Sequence, residues 1–171
     1  MIRTNVARSA AEIENLRSAW ESLWNSELTL FQSYRWNAVA ARIFAERQEP
    51  YVVFAESDSG AAIVPAAIDL KQRQITFLGE TLFDYHDYLA QGAVDVLQAA
   101  WAALVQLNLP LQILALRRAQ APVWSELPKA AYSGAPYLLS SSITSEQFSA
   151  SHARKGSRLR RLFRMGVEFR M

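Results

Sequence analysis

The spacing of apolar residues changes near Pro50, and this change limits the folds open to the chain more than any other feature of its sequence. Upstream of it, apolar side chains recur every three or four residues, which is typical of helices with one buried face. The two apolar stripes are Ile13, Leu16, Trp20, Leu23 and Trp24, and then Trp36, Val39, Ala40, Ile43 and Phe44. Downstream, β-branched runs separated by turn residues indicate strands. We therefore predict two helices followed by a sheet.

Local signals place the starts of these elements. A short strand is predicted over residues 2–6. The sequence Ser9-Ala10-Ala11-Glu12 has the form of a capping box, which predicts the start of the first helix. The second helix is expected to begin after Ser33, and Pro50 is expected to end the connection that follows it.

The sheet is predicted as an antiparallel meander. Its strands are residues 51–56, 61–70 and 74–78, and Ser57-Asp58-Ser59-Gly60 supplies the first turn. A helix over about 93–107 and a buried strand at 111–116 follow. Weaker elements are expected at 123–127, 137–140, after Thr144 and at 156–165. This order predicts an α/β or α+β fold with a mixed, largely antiparallel sheet flanked by helices.

Bulk composition narrows the class of protein. The 171 residues are 51% hydrophobic and 20% charged, which suits a single globular domain with a proper core. Cysteine is absent, so disulfides, thiolate metal sites and a cysteine nucleophile are excluded. No apolar run is long enough to cross a bilayer, and the first residues lack the apolar core of a signal peptide. We expect a cytoplasmic protein with no membrane partner.

Charge is unevenly distributed along the chain. The last 21 residues carry a net +6 within a total of +2, which leaves −4 for the first 150. The basic residues are Arg154, Lys155, Arg158, Arg160, Arg161, Arg164 and Arg170. This tail suits either a solvated linker or a phosphate-binding segment. Few stacking aromatics are interleaved with the arginines, so nucleic acid is not the expected partner.

Short motifs resemble one family of bacterial enzymes. Phe31-Gln32-Ser33 followed by Trp36 resembles the signature that opens the second helix in cellulose-biosynthesis acetyltransferases of the CelD/BcsL type, which have the GNAT fold. Ile63-Val64-Pro65-Ala66, Phe77-Leu78-Gly79 and Asp84-Tyr85-His86-Asp87 resemble that family's later motifs in the same order. The segment Lys155–Arg161, leading to Gly166-Val167, resembles the basic segment that joins two GNAT-like halves in this family and in Fem-type aminoacyl transferases.

The resemblance implies a domain organisation and an activity. Residues 1–152 would form a GNAT-like domain, the first half of a tandem, and 153–171 a basic linker helix at the start of a second half. The implied activity is N- or O-acyl transfer from acetyl-CoA or another acyl-CoA to a sugar or amino-acid type acceptor, in exopolysaccharide, cellulose or envelope biosynthesis. Arg154-Lys155-Gly156-Ser157 fits the usual pyrophosphate loop poorly, so the cofactor is expected mainly on the second half. No metal is expected.

Two alternatives stay open. One is a Fem-type transferase that uses aminoacyl-tRNA, and the other is a noncatalytic GNAT-like module that binds a substrate or a partner. Binding of charged tRNA with a steep salt dependence would favour the Fem-type transferase. A second meander with a phosphate loop beyond Met171 would favour a transferase over the noncatalytic module.

Candidate site residues lie in two segments. Asp84, Tyr85 and His86 are candidate catalytic groups, because acyl transfer needs a base for the acceptor and an acid for the leaving thiolate. Candidate substrate-binding residues are Asp87 and Tyr88 in the same stretch, and Gln32 and Trp36, which the resemblance places near the substrate groove. Each has a structural alternative: the polar stretch suits a turn with capping, and Trp36 suits the buried stripe of its helix.

Overall fold

A computed structural model of the protein describes residues 1–25, 28–80, 83 and 86–113. The strands within these residues are β1 (Arg3–Ala7), β2 (Gln48–Ser57), β3 (Gly60–Asp69), β4 (Gln74–Phe77) and β5 (Leu89–Gly92). The helices are α1 (Ala10–Asn15), α2 (Arg17–Leu23), α3 (Tyr34–Ile43) and α4 (Val94–Val105), and Leu30–Gln32 is a short 3₁₀ helix. This content confirms the predicted α+β class.

The strands form one sheet in the order β1-β2-β3-β4, and β5 also pairs with β3. Every pairing of these strands is antiparallel. Val53 lies opposite Val64 in the long β2–β3 hairpin, whose turn is the predicted one. The meander is therefore confirmed. Pro50, expected to end the preceding connection, is instead a buried residue within β2.

Both faces of the sheet are covered, because its strands carry apolar residues at successive positions. In β2, Val53 points to the face covered by α4, whereas Val52 points to the face covered by α1, α2 and α3. In β3, Val64 likewise points to the α4 side and Ile63 to the side of α1, α2 and α3. The alternation of side chains along a strand thus builds two separate cores on one sheet.

The first predicted helix is divided at Leu16 into α1 and α2. Ser9 caps α1 as expected, with its Oγ accepting from the amide of Glu12 at 3.2 Å. The Glu12 carboxylate accepts from the amide of Arg8, one residue before the position that a full capping box uses. Trp24 was wrongly assigned to the buried stripe: it follows the last residue of α2 in extended backbone and is 43% exposed.

The second predicted helix is α3, and Ser33 caps it. Its buried face was predicted wrongly in part: Val39 and Ile43 are 46% and 64% exposed, whereas Ala40 is buried and Trp36 and Phe44 pack against the core. The residues that face the core are Tyr34, Asn37, Ala38, Ala40 and Ala41. Three of these five are alanines, which let the helix backbone lie close to the elements beneath it. The larger aliphatic side chains lie on the outer side.

The sequence did not predict β5, which follows directly on the polar stretch. Near the end of the described residues, Leu111 forms a parallel bridge with Ile75. The amide of Ile75 donates to Pro110 at 2.7 Å, and its carbonyl accepts from Gln112 at 2.9 Å. This bridge agrees with the predicted start of a strand at residue 111.

Several predictions fall on residues that the structure does not describe. They include the elements expected beyond residue 113, the basic segment, and the proposed domain boundary between residues 152 and 153. Among the described helices, none has the length and apolar character that a bilayer span requires.

Candidate functional site

The sheet is split along one edge of β3. β2 pairs with the whole of one edge, from Gly60 to Asp69. On the other edge, β5 pairs with residues 60–63 and β4 pairs with residues 66–69. Val64 and Pro65 lie between these two ladders, at the gap where β4 and β5 follow one another end to end.

Proline is compatible with this central strand because it stands at the split. The carbonyl of Pro65 accepts from the amide of Leu78 at 2.9 Å, on the side away from β2. In an antiparallel strand the nitrogen and carbonyl of one residue point to the same side. The N–H that proline lacks is therefore missing from the split edge, and the ladder to β2 loses no hydrogen bond.

His86 lies in the segment between β4 and β5 and is held between two aromatic rings. The imidazole stacks on Phe77, with ring centroids 5.1 Å apart, and on Phe83, with centroids 5.6 Å apart. Phe77 belongs to the core under α4, whereas Phe83 belongs to the core under α1, α2 and α3. His86 thus contacts one ring from each of the two cores.

Burial controls the charge of His86. The residue is 2% exposed, and loss of hydration lowers the pKa of its imidazole from 6.5 to about 4. A contact of 3.4 Å between Nε2 and the carbonyl of Glu80 acts in the opposite direction but is the weaker effect. The imidazole is therefore neutral at neutral pH, and it is a weak base while it stays buried.

The end of β4 is fixed by a buried glutamine. Gln48 Nε2 donates to the carbonyl of Phe77 at 3.3 Å, and its Oε1 accepts from the amide of Gly79 at 2.9 Å. Gly79 has a φ of +72°, and a Cβ there would lie 2.9 Å from Cβ of Ala40. Only glycine suits both the left-handed backbone and this close approach to α3.

Glu80 is a candidate that the sequence analysis missed. Its Oε2 accepts a hydrogen bond from the hydroxyl of Thr76, and its backbone carbonyl faces His86. The side chain is partly buried. The signal in the sequence was slight, a single acid directly after Phe77-Leu78-Gly79.

Two of the remaining candidates in the polar stretch, Asp87 and Tyr88, are buried. Asp87 is 1% exposed, and its Oδ1 accepts from the amide of Tyr88 at 2.9 Å. Tyr88 is buried in the core under α4. Asp84 and Tyr85 lie outside the described residues.

Gln32 performs a capping role in this structure. Its Oε1 accepts from the amide of Thr29 at 3.0 Å and from the Thr29 hydroxyl at 2.6 Å, which completes a capping box at the 3₁₀ helix. Its backbone carbonyl accepts from Trp20 Nε1 at 2.8 Å. These structural contacts explain why Gln32 is buried.

Trp36 is connected to His86 through aromatic contacts. Its ring lies edge-on to Phe31 and to Phe83, with centroids 5.8 and 6.0 Å apart. Phe83 in turn stacks on His86. The fold therefore joins Trp36 and His86, which are 50 residues apart in the sequence, through one intervening ring. Trp36 is partly exposed, so this group of rings reaches the surface.

The described residues do not fit the pyrophosphate of acyl-CoA. Such a group is commonly held by free backbone amides at a helix N-terminus. At the start of α4, the carboxylate of Asp95 accepts from the amide of Val96, and its negative charge opposes an anion. At the start of α3, Ser33 Oγ occupies the amide of Trp36. At each of these two helix starts a side-chain oxygen therefore already holds one of the first-turn amides.

Comparisons with known proteins add no relative. No protein-family model matches the chain, and neither the curated proteins nor the solved structures contain a match.

Proposed function

We propose that this protein is an acyl-CoA-dependent N- or O-acyltransferase that acts on a sugar or amino-acid type acceptor. The observation that carries the proposal is the gap on one edge of β3, where β4 and β5 lie end to end and the residues 78–88 that join them are spanned by only Val64 and Pro65. In the GNAT fold, which the sequence motifs resemble, substrates enter where neighbouring strands splay apart, and we place the acceptor of this protein at the gap between β4 and β5. The order of elements and the antiparallel meander support the same assignment.

Glu80 is the described residue that we assign to the acceptor. A carboxylate can take the proton that an acceptor amine or hydroxyl loses on acylation. The hydroxyl of Thr76 orients this carboxylate, and Glu80 lies near the start of the segment that joins β4 to β5. His86 stays neutral and holds the segment between the two cores. We place the acyl donor mainly on residues other than the described ones.

A second function has specific support from burial. His86 and Asp87 are 2% and 1% exposed, and Gln32 uses its side chain for capping. Side chains that are enclosed in this way do not reach a substrate at the surface. A noncatalytic GNAT-like module that binds a substrate or partner is therefore the alternative.

Release of free CoA tests the two functions directly. The full chain would be incubated with acetyl-CoA and a panel of amino sugars and amino acids, and a thiol reagent would follow the CoA produced. The protein contains no cysteine, so it adds no background to this assay. Turnover with one class of acceptor supports the transferase.

A conservative variant tests the assigned residue. Glu80→Gln keeps an oxygen to accept from Thr76 but removes the basic carboxylate, so we expect turnover to fall about 100-fold. Glu46→Gln, at an exposed acid beyond the end of α3, is the matched control and should leave turnover unchanged. Absence of CoA release with every acceptor, together with no thermal stabilisation by acetyl-CoA, would favour the noncatalytic module.

A further inference from the structure

The outward half of α3 has two chemically distinct strips. With a helical period of about 100° per residue, Arg35 and Arg42 fall side by side, and Val39 and Ile43 form the neighbouring strip. All four side chains are exposed. Trp36 lies at the edge of the aliphatic strip, where the exposed side of the helix meets the buried side.

Leu30 extends this surface beyond the helix, since it is 60% exposed in the short 3₁₀ helix before α3. Together these residues form a surface that we call the α3 patch. It consists of Leu30, Arg35, Trp36, Val39, Arg42 and Ile43. The described residues supply no salt bridge to either arginine.

We propose that the α3 patch docks on the surface of an anionic phospholipid bilayer. Aliphatic side chains beside arginines, with a tryptophan at the boundary, match the layered chemistry of a membrane interface. The arginines would meet the anionic headgroups, and Val39 and Ile43 would enter the boundary with the acyl chains. The sequence predicted no membrane partner because it lacks a spanning segment, and peripheral docking departs from that expectation.

Size argues against a second copy of the chain as the occupant. A helix of 10 residues is about 15 Å long, so its outward strip covers on the order of 150 Å². A stable protein interface buries roughly 800 Å² on each partner. Two copies of the patch would also bring arginines towards arginines. A lipid surface requires no shape complementarity and supplies the opposite charge.

Vesicle sedimentation with the full chain tests the proposal without any assay of activity. The probes are vesicles of phosphatidylcholine alone and vesicles of phosphatidylcholine mixed with phosphatidylserine. We expect binding to the mixed vesicles that weakens at high salt. The variant R35Q/R42Q should bind about 30-fold more weakly, because each arginine near an anionic surface strengthens binding about fivefold.

The aliphatic strip has its own variant and a matched control. V39S/I43S leaves the charge unchanged and should weaken binding about tenfold or more. Val105→Ser removes a valine of similar exposure, 65%, from α4 on the opposite face of the sheet, and it should bind as the wild type does. Circular dichroism should show all three variants folded, because the altered side chains are exposed.

Two results would overturn the proposal. The first is binding of V39S/I43S to the mixed vesicles as tightly as the wild type. Docking through the α3 patch would then be excluded, and the basic residues between Arg154 and Arg170 would account for the binding. A dimer in light scattering that V39S/I43S converts to a monomer would assign the patch to a second copy instead.

Discussion

Replacing His86 by phenylalanine should remove a large part of the pH dependence of the stability of this protein. The substitution keeps an aromatic ring between Phe77 and Phe83, on which the imidazole stacks in the wild type. It removes the group that titrates. The test therefore separates the packing of residue 86 from its protonation.

The size of the effect follows from the pKa of His86. Burial lowers it from 6.5 to about 4, so between these pH values the unfolded chain binds a proton that the folded chain does not. The stability that comes from the neutral imidazole of His86 is fully present above pH 6.5 and is lost as the pH falls through this window. The full pKa difference corresponds to about 3 kcal/mol, and about 2 kcal/mol of it falls between pH 7 and pH 5.

Urea denaturation of the wild type and of His86→Phe at pH 7 and pH 5 measures this quantity. The wild type should lose about 2 kcal/mol more than the variant over this interval, because other titrating groups contribute equally to both. The chain has two histidines, so His152→Gln leaves a single imidazole whose NMR signal can be followed with pH. Equal losses in wild type and variant, or an imidazole signal that titrates near 6.5, would refute the reasoning.

Three further substitutions test the packing around the candidate site, each by urea denaturation. Trp20→Phe should cost about 2–4 kcal/mol, because it leaves a cavity and removes the donor to the carbonyl of Gln32, and a cost below 1 kcal/mol would contradict the role of that hydrogen bond. Gly79→Ala should cost about 1–3 kcal/mol, because its φ is positive and the added methyl meets Ala40; unchanged stability would show that α3 can move away. Gln32→Ala should cost about 1 kcal/mol through loss of the capping box, whereas Gln32→Glu, which keeps the acceptor, should cost less.

The elements were largely predictable because their signals are local. Ser9 and Ser33 mark the starts of α1 and α3, and the turn before Gly60 fixes the hairpin between β2 and β3. β5 was missed because Leu89–Gly92 is short and carries no run of β-branched residues. It is a strand because β3 offers it an unpaired edge, and that edge exists only in the folded sheet.

The candidate site was predictable in part. The polar stretch drew attention to His86 and Asp87 by residue type, but the stacking of His86 on Phe77 and Phe83 depends on the tertiary fold. Glu80 was missed because nothing in the sequence distinguishes it from other acids. Its partner Thr76 becomes a neighbour only when the chain turns after β4.

The sequence by itself determined the periods of its apolar residues, and with them the class of fold. Helical spacing before Pro50 and β-rich runs after it are properties of neighbouring residues, and local backbone geometry is enough to read them. Tertiary structure alone decided which face of α3 is buried and where β3 is divided between β4 and β5. Both depend on contacts between distant segments, since Ala40 lies against Gly79 and His86 lies between rings of two cores. Periodicity gives the width of an apolar face, whereas close packing selects the side that turns inward.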